Sequence, residues 1–324
     1  MNGATNYPKK KEQSPRITQG ISAVSRDLYF GFKFAIKHFL SYFLAMVGVI
    51  ILTIIMLVAV LLIIVVPLIL FVGFPVFVTW ISSVTIEIGT LEGTMFIAII
   101  LMVVLPILGP FFVAIGALYG MSREIVESET TSAESAFSWY QKRAFSLVGG
   151  GMVHFLITLA PFLLAIYAIF VTPIPVPTNQ QLSLILPVGF IWILLSNGML
   201  VLTFPGIIDG LSAISAAKRS VRLCCRSPGR VLGAWSVFVV LVGIPFISLI
   251  DEPLFNWIQL IPDAYLDPFR VILVILILFL VLPAMSITFS RIYLILTAQD
   301  EAVYDADTDD EEYTIKLEVD NDES

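Results

Sequence analysis

Forty-eight consecutive residues, Phe39 to Ile86, contain no Asp, Glu, Lys, Arg or His. A water-soluble fold must bring each segment back to solvent, so it has no use for such a run. A bilayer core of about 30 Å needs about 20 apolar helical residues at about 1.5 Å each. Further apolar runs lie near 94–119, 146–172, 183–207, 231–250 and 271–296. The chain is 58% hydrophobic and 13% charged, against about 25% charged in soluble domains. Soluble, disordered and collagen-like classes are excluded, and the fold class is an all-α integral membrane protein.

The long run is read as one span, 39–66, followed by a piece, 67–86, punctuated by Pro67, Gly73 and Pro75. Charge decides whether that piece crosses, because basic residues near span ends mark the cytoplasmic side. Residues 1–38 form a basic arm with Lys9, Lys10, Lys11, Arg16, Arg26, Lys33 and Lys37, too long and too charged for a secretory signal. The connection 120–146 adds Arg123, Lys142 and Arg143, and 208–230 adds Lys218, Arg219, Arg222, Arg226 and Arg230. The opposite connections carry Glu87, Glu92, Asp251, Glu252, Asp263 and Asp267, with Arg270 as their base. An even number of crossings must therefore separate the arm from 120–146, which makes 67–86 re-entrant or interfacial. The expectation is a multi-pass protein of the cell membrane with six spans, 39–299, and both termini cytoplasmic.

Residues 300–324 hold twelve Asp or Glu and one Lys, so 1–299, with 17 bases and 13 acids, is net +4 although the whole chain is −7. The acidity belongs to this last segment, which reads as a disordered cytoplasmic tail. Within it Tyr313 to Asp320 alternates, a strand-like pattern able to add to a partner's sheet edge. The tail is also expected to lie across the basic surface beside it and compete with lipid.

Three stretches share a small-residue signature ahead of an amphipathic segment: Gly20 to Ser25, Ser132 to Ala136 and Gly210 to Ser215. They predict three interfacial helices and a threefold repeat of helix-pair units, the alternative being that any re-entering pair needs such an approach. In the first, Ile21, Val24, Leu28, Phe32 and Ile36 form the apolar stripe. In the second, Thr131 and Glu134 fit a capping box, and Trp139 and Tyr140 suit the headgroup region. In the third, Leu211, Ile214, Ala217, Val221 and Cys225 recur at helical spacing, with Lys218, Arg222 and Arg226 on another face and Pro228-Gly229 ending the helix.

The segment from Asp209 to Ala234, with Ala216-Ala217-Lys218-Arg219-Ser220-Val221-Arg222-Leu223 ahead of an apolar run, resembles uncharacterised multi-span families. These are relatives of the membrane domain attached to some glycerophosphodiester phosphodiesterases. The resemblance implies six spans and no established activity, and with no phosphodiesterase barrel in the chain it transfers no catalytic residue.

The spans offer little chemistry. Transporters and intramembrane enzymes keep ionisable groups within the bilayer, and here His154 is the one candidate inside a span, with Asn197 as the deep amide beside Ser196. Both read first as interhelical hydrogen-bonding groups. Arg291, near the inner end of the last span, can snorkel to headgroups. Pro106, Pro110, Pro161, Pro187, Pro205, Pro245 and Pro283 predict kinked packing, and Gly116 with Gly120, Gly206 with Gly210, and Gly229 with Gly233 predict close helix approach. Cys224 and Cys225 are adjacent on the reducing side, where acylation is the alternative to plain free thiols. Asp305, Asp307 and Asp309 mimic a calcium loop, but Asp310 and Lys316 stand where Gly and Glu are required.

No catalytic residue, cofactor, metal site or nucleic-acid partner is expected. Lys218, Arg219, Arg222, Arg226 and Arg230 are expected to meet anionic headgroups or the tail. The leading reading is a non-enzymatic protein of membrane or partner organisation. A transporter for an uncharged or lipophilic solute is the first alternative, and a lipid-headgroup enzyme or its accessory subunit the second.

Overall fold

The computed structural model describes residues 21–73, 75, 91–171, 179–247 and 271–300. Most of 67–86, the connection 251–270, Tyr313 to Asp320 and the first twenty residues of the arm lie outside them. Among the described residues every regular element is helical. In chain order these are α1 (Ile21–Lys37), α2 (Phe39–Val72), α3 (Leu91–Ser128), α4 (Ala133–Lys142), α5 (Ala144–Val171), α6 (Asn179–Leu200), α7 (Thr203–Ile208), α8 (Ala213–Arg226) and α9 (Pro228–Ile247). The last, α10, runs Val271–Asp300. Four stretches, Phe39–Ile63, Ala144–Pro161, Pro187–Ile208 and Val271–Asp300, are long and apolar enough to cross a membrane, and a fifth joins them if the bent pair α8 and α9 is one span.

Apolar side chains divide by helix face between a buried and an exposed environment, with bulky ones in both. Along α2, Tyr42, Ala45, Met46 and Val49 are buried, whereas Ile51, Ile54, Ile55, Val58, Leu62 and Ile63 are exposed. An exposed apolar ridge of that length suits a hydrocarbon surrounding. Where lipid is the solvent, large side chains gain little by turning inward and small ones let helices approach. On the approach helices the docking sides lie beside the apolar stripes expected from the sequence. α1 buries Ala23, Asp27, Gly31, Phe34 and Ala35, leaving Ile21 and Ile36 exposed and Val24, Leu28 and Phe32 on the flank of the core. α8 buries Ala216, Ala217, Ser220, Leu223 and Cys224, while Ile214 and Cys225 point outward.

Helix α3 is the hub, packing on α2, α4, α5 and α7, while α1 lies along α9 and α10. Ser122 on α3, fully buried, joins Tyr42 Oη of α2 at 2.7 Å and Ser286 Oγ of α10 at 2.7 Å and donates to the Leu118 carbonyl. Three helices are thereby pinned at one buried hydroxyl. The capping box expected at α4 does not form: Ser132 is the N-cap without a side-chain bond, and Thr131 instead donates to Glu124 on α3, which also accepts from Trp139 Nε1. Tyr140, expected among headgroups, is buried in the core.

Two prolines break regularity where a proline lacks the N–H of its turn. Pro283 follows a π-turn at Ile277–Val281 that widens α10 ahead of it. Pro205 sits just inside α7, after the chain turns at Val201 and Leu202, so the stretch Pro187–Ile208, long and apolar enough to cross as one span, carries an internal break. Ser220 of α8 repairs that break, accepting from the Leu202 N–H at 3.1 Å and donating to the Met199 carbonyl at 2.7 Å.

Candidate functional site

The chemistry-bearing side chains gather at one end of the bundle, around α1, α7, α8 and the adjoining ends of α3, α9 and α10. Ser212 caps α8, accepting from Ser215 N–H, and Gly210 before it adopts φ +106°, a left-handed turn that a side chain would strain. α8 ends at Ser227, and Pro228 opens α9 at the first-turn position that suits proline, turning the chain through 105°. α8 therefore lies across the end of the bundle, roughly normal to α9.

Buried ion pairs hold this arrangement. Asp27 of α1, with 2% of its side chain exposed, accepts from Arg230 of α9 at 2.6 and 3.0 Å and lies 3.3 Å from Arg291 Nε of α10. Arg291 also stacks over Phe30, 4.1 Å from the ring centre. Arg230 was expected at the lipid surface and Arg291 among headgroups; both instead face an acid that no local pattern marks. A second cluster joins Arg123 of α3 to Asp209 at 2.8 Å and to Glu127 at 2.8 Å, with Tyr293 Oη donating to Asp209 at 3.2 Å. The crevice beside it, lined by Tyr119, Arg123, Ser290 and Tyr293, has room for about one water, at about 10 Å³.

The remaining bases on α8 divide. Arg226 pairs with Asp300 at the end of α10, and Arg219 lies 6.0 Å from the Tyr293 ring centre. Lys218 and Arg222 are exposed and carry no ion pair among the described residues. At about 100° per residue, α8 presents three faces. Ala216, Ser220 and Cys224 meet the bundle; Ile214, Val221 and Cys225 form an outward apolar edge; Lys218 and Arg222 stand beside that edge.

His154 and Asn197 are brought together, His154 Nε2 donating to Asn197 Oδ1 at 2.6 Å while Asn197 Nδ2 donates to the Ile193 carbonyl at 2.8 Å. Among the glycines, Gly116 faces Leu147, Gly120 faces the Trp139 indole, Gly206 faces Ala216 and Gly233 faces Val24. Gly210 serves its turn, and Gly229 meets nothing within 4 Å, so close packing does not describe these two. Among the described glycines, Gly31 sits tightest on another helix's backbone, that of Ala284; its signal along the chain is Ala23, Gly31 and Ala35 at four-residue multiples around Asp27.

Both cysteines are free. Burial, with the neighbouring Cys225 adding to it, pushes the Cys224 thiol up to about 11. At pH 8 a maleimide is expected to add once to the folded chain, at Cys225, by intact mass; Cys225→Ser should abolish the label and Cys224→Ser leave it. Equal labelling of Cys224 would contradict the buried face of α8.

The chain matches no protein-family model, no curated protein and no solved structure.

Proposed function

We propose that the chain is a six-span, non-enzymatic membrane protein that organises the bilayer or a partner at its cytoplasmic face through α8. The carrying observation is the three-faced α8 set at 105° to α9. If α9 crosses the bilayer, α8 lies in its surface, with Ile214, Val221 and Cys225 toward the acyl chains. Lys218 and Arg222 then stand at headgroup depth, where each basic residue near an anionic leaflet contributes about 1 kcal/mol. In this reading helices α1, α4 and α8 are the interfacial members of three helix-pair units, and the basic connections support a cytoplasmic face for all three. The mutual bonding of His154 and Asn197 supports this role over a solute path, because both ends of the Asn197 amide are already engaged.

The test is lipid retention. Protein purified from mixed-lipid membranes in mild detergent is expected to carry anionic phospholipid in excess over zwitterionic lipid. Lys218→Gln with Arg222→Gln should weaken that retention by about 30-fold, the equivalent of about 2 kcal/mol. Retention unchanged in the double variant, with its melting intact, overturns the assignment of α8 to anionic lipid.

A further inference from the structure

We propose that the acidic segment 301–324 of this chain folds back onto α8 and occupies Lys218 and Arg222 in competition with lipid headgroups. The inference rests on the reading above that α8 and this segment share one aqueous compartment.

Three observations converge on it. α10 ends at Asp300, whose carboxylate is paired with Arg226 on the last turn of α8, so the chain leaves the described fold against α8 itself. From Arg226 toward the start of α8, Arg222 and Lys218 follow at four-residue steps, exposed and without an ion pair among the described residues. Like charges at that spacing repel along a helix and are relieved by an anion between them. The segment that follows Asp300 holds eleven Asp or Glu against one Lys.

Reach is sufficient. Arg226 and Lys218 are separated by about 12 Å along the helix, which about four extended residues cover at about 3.3 Å each. The chain after Asp300 is therefore long enough to bring Asp305, Asp307, Asp309 and Asp310 within reach of Arg222 and Lys218. Tethering so close to the site gives the segment an effective concentration in the millimolar range, enough to hold the bases against neutral lipid and to yield them to an anionic leaflet. Contact between exposed charges also makes the latch salt-sensitive.

The experiment uses the full chain in phosphatidylcholine nanodiscs, spin-labelled at Cys225 and at Thr308→Cys in a Cys224→Ala background. Electron-electron distance measurement is expected to show one short, narrow population. It should spread in about 1 M salt, where the screening length is about 3 Å, with Lys218→Glu plus Arg222→Glu, and when phosphatidylserine is added to the disc. A broad distribution indifferent to all three overturns the latch. Asp305→Asn, Asp307→Asn, Asp309→Asn and Asp310→Asn together lie outside the bundle, and must also abolish the short population if the α8 variant fails to fold. An impermeant maleimide on sealed vesicles should reach Ser215→Cys, which is exposed beside Arg222 on α8, and Thr308→Cys from the same side, in a chain with both native cysteines changed to Ala. Opposite sides would overturn the shared compartment as well, whereas same-side labelling with broad distances overturns the latch alone.

Discussion

The Asp27→Ala chain is expected to lose about 3–5 kcal/mol of stability, the cost of leaving a buried charge without its partner. Arg230 makes two bonds to the Asp27 carboxylate and Arg291 approaches its other side, with side-chain exposures of 12% and 22% for the two arginines. One carboxylate thus compensates two guanidiniums, and deleting it leaves them burdened by desolvation and by each other. Asp27→Asn should be nearly as damaging, because the amide keeps the shape and removes the charge. The informative contrast is Asp27→Leu with Arg230→Leu, which removes a hydrogen-bonded pair and should recover the part of the loss due to Arg230, leaving Arg291 without its acid. Denaturant titration in mixed micelles, followed by tryptophan fluorescence, reads all three. A loss below about 0.5 kcal/mol in Asp27→Ala, the ordinary range for a surface change, would show that the cluster does not fix α1.

That cluster also marks where the sequence stops being informative. The apolar runs announce helices because membrane thickness constrains each one locally. The gathering of bases on 120–146 and 208–230 is likewise visible by counting. Pairing is different: Asp27 and Arg230 are 203 residues apart, and although Pro228-Gly229 sets Arg230 off from Arg222, nothing along the chain names its acid. The apolar stripes expected on α1 and α8 are the pattern of helices lying in the interface, and the sides that dock on the bundle carry a weaker signal. Beside Phe34 and Leu223, those docking sides are made of Ala, Gly, Asp and Ser, which let helices approach but carry little hydropathy to mark them along the chain. Reading Ala23, Asp27, Gly31 and Ala35 as one stripe recovers the buried face of α1, and Ala216 with Ser220 recovers that of α8. His154 and Asn197 were legible because so few polar groups occur in the spans. Asp209, Ser122 and Ser220 were not, since each earns its place only through distant helices.

The same close contact explains the second large effect, expected at Gly31. A Cβ placed there would lie 2.7 Å from the Ala284 carbonyl oxygen and 2.1 Å from Thr288 Oγ1. The hydroxyl has little freedom to retreat, since it donates to that same carbonyl at 2.7 Å, and the carbonyl belongs to the α10 backbone. Gly31→Ala therefore has to push α1 off α10, at about 1–3 kcal/mol for overpacking. Asp27 precedes Gly31 by one turn on the same face, so the displacement also stretches its bonds to Arg230 and Arg291. Adding Thr288→Ala should give little relief, because the backbone oxygen remains. Gly229→Ala, where nothing lies within 4 Å, is the matched control and should be neutral or favourable by up to about 1 kcal/mol through helix propensity. Because Gly31 and Asp27 act through one docking event, the double variant Asp27→Ala with Gly31→Ala should lose less than the sum of the single losses. Strict additivity of the two would mean that α1 does not seat as a unit, and that its charge and its close approach stabilise the bundle separately.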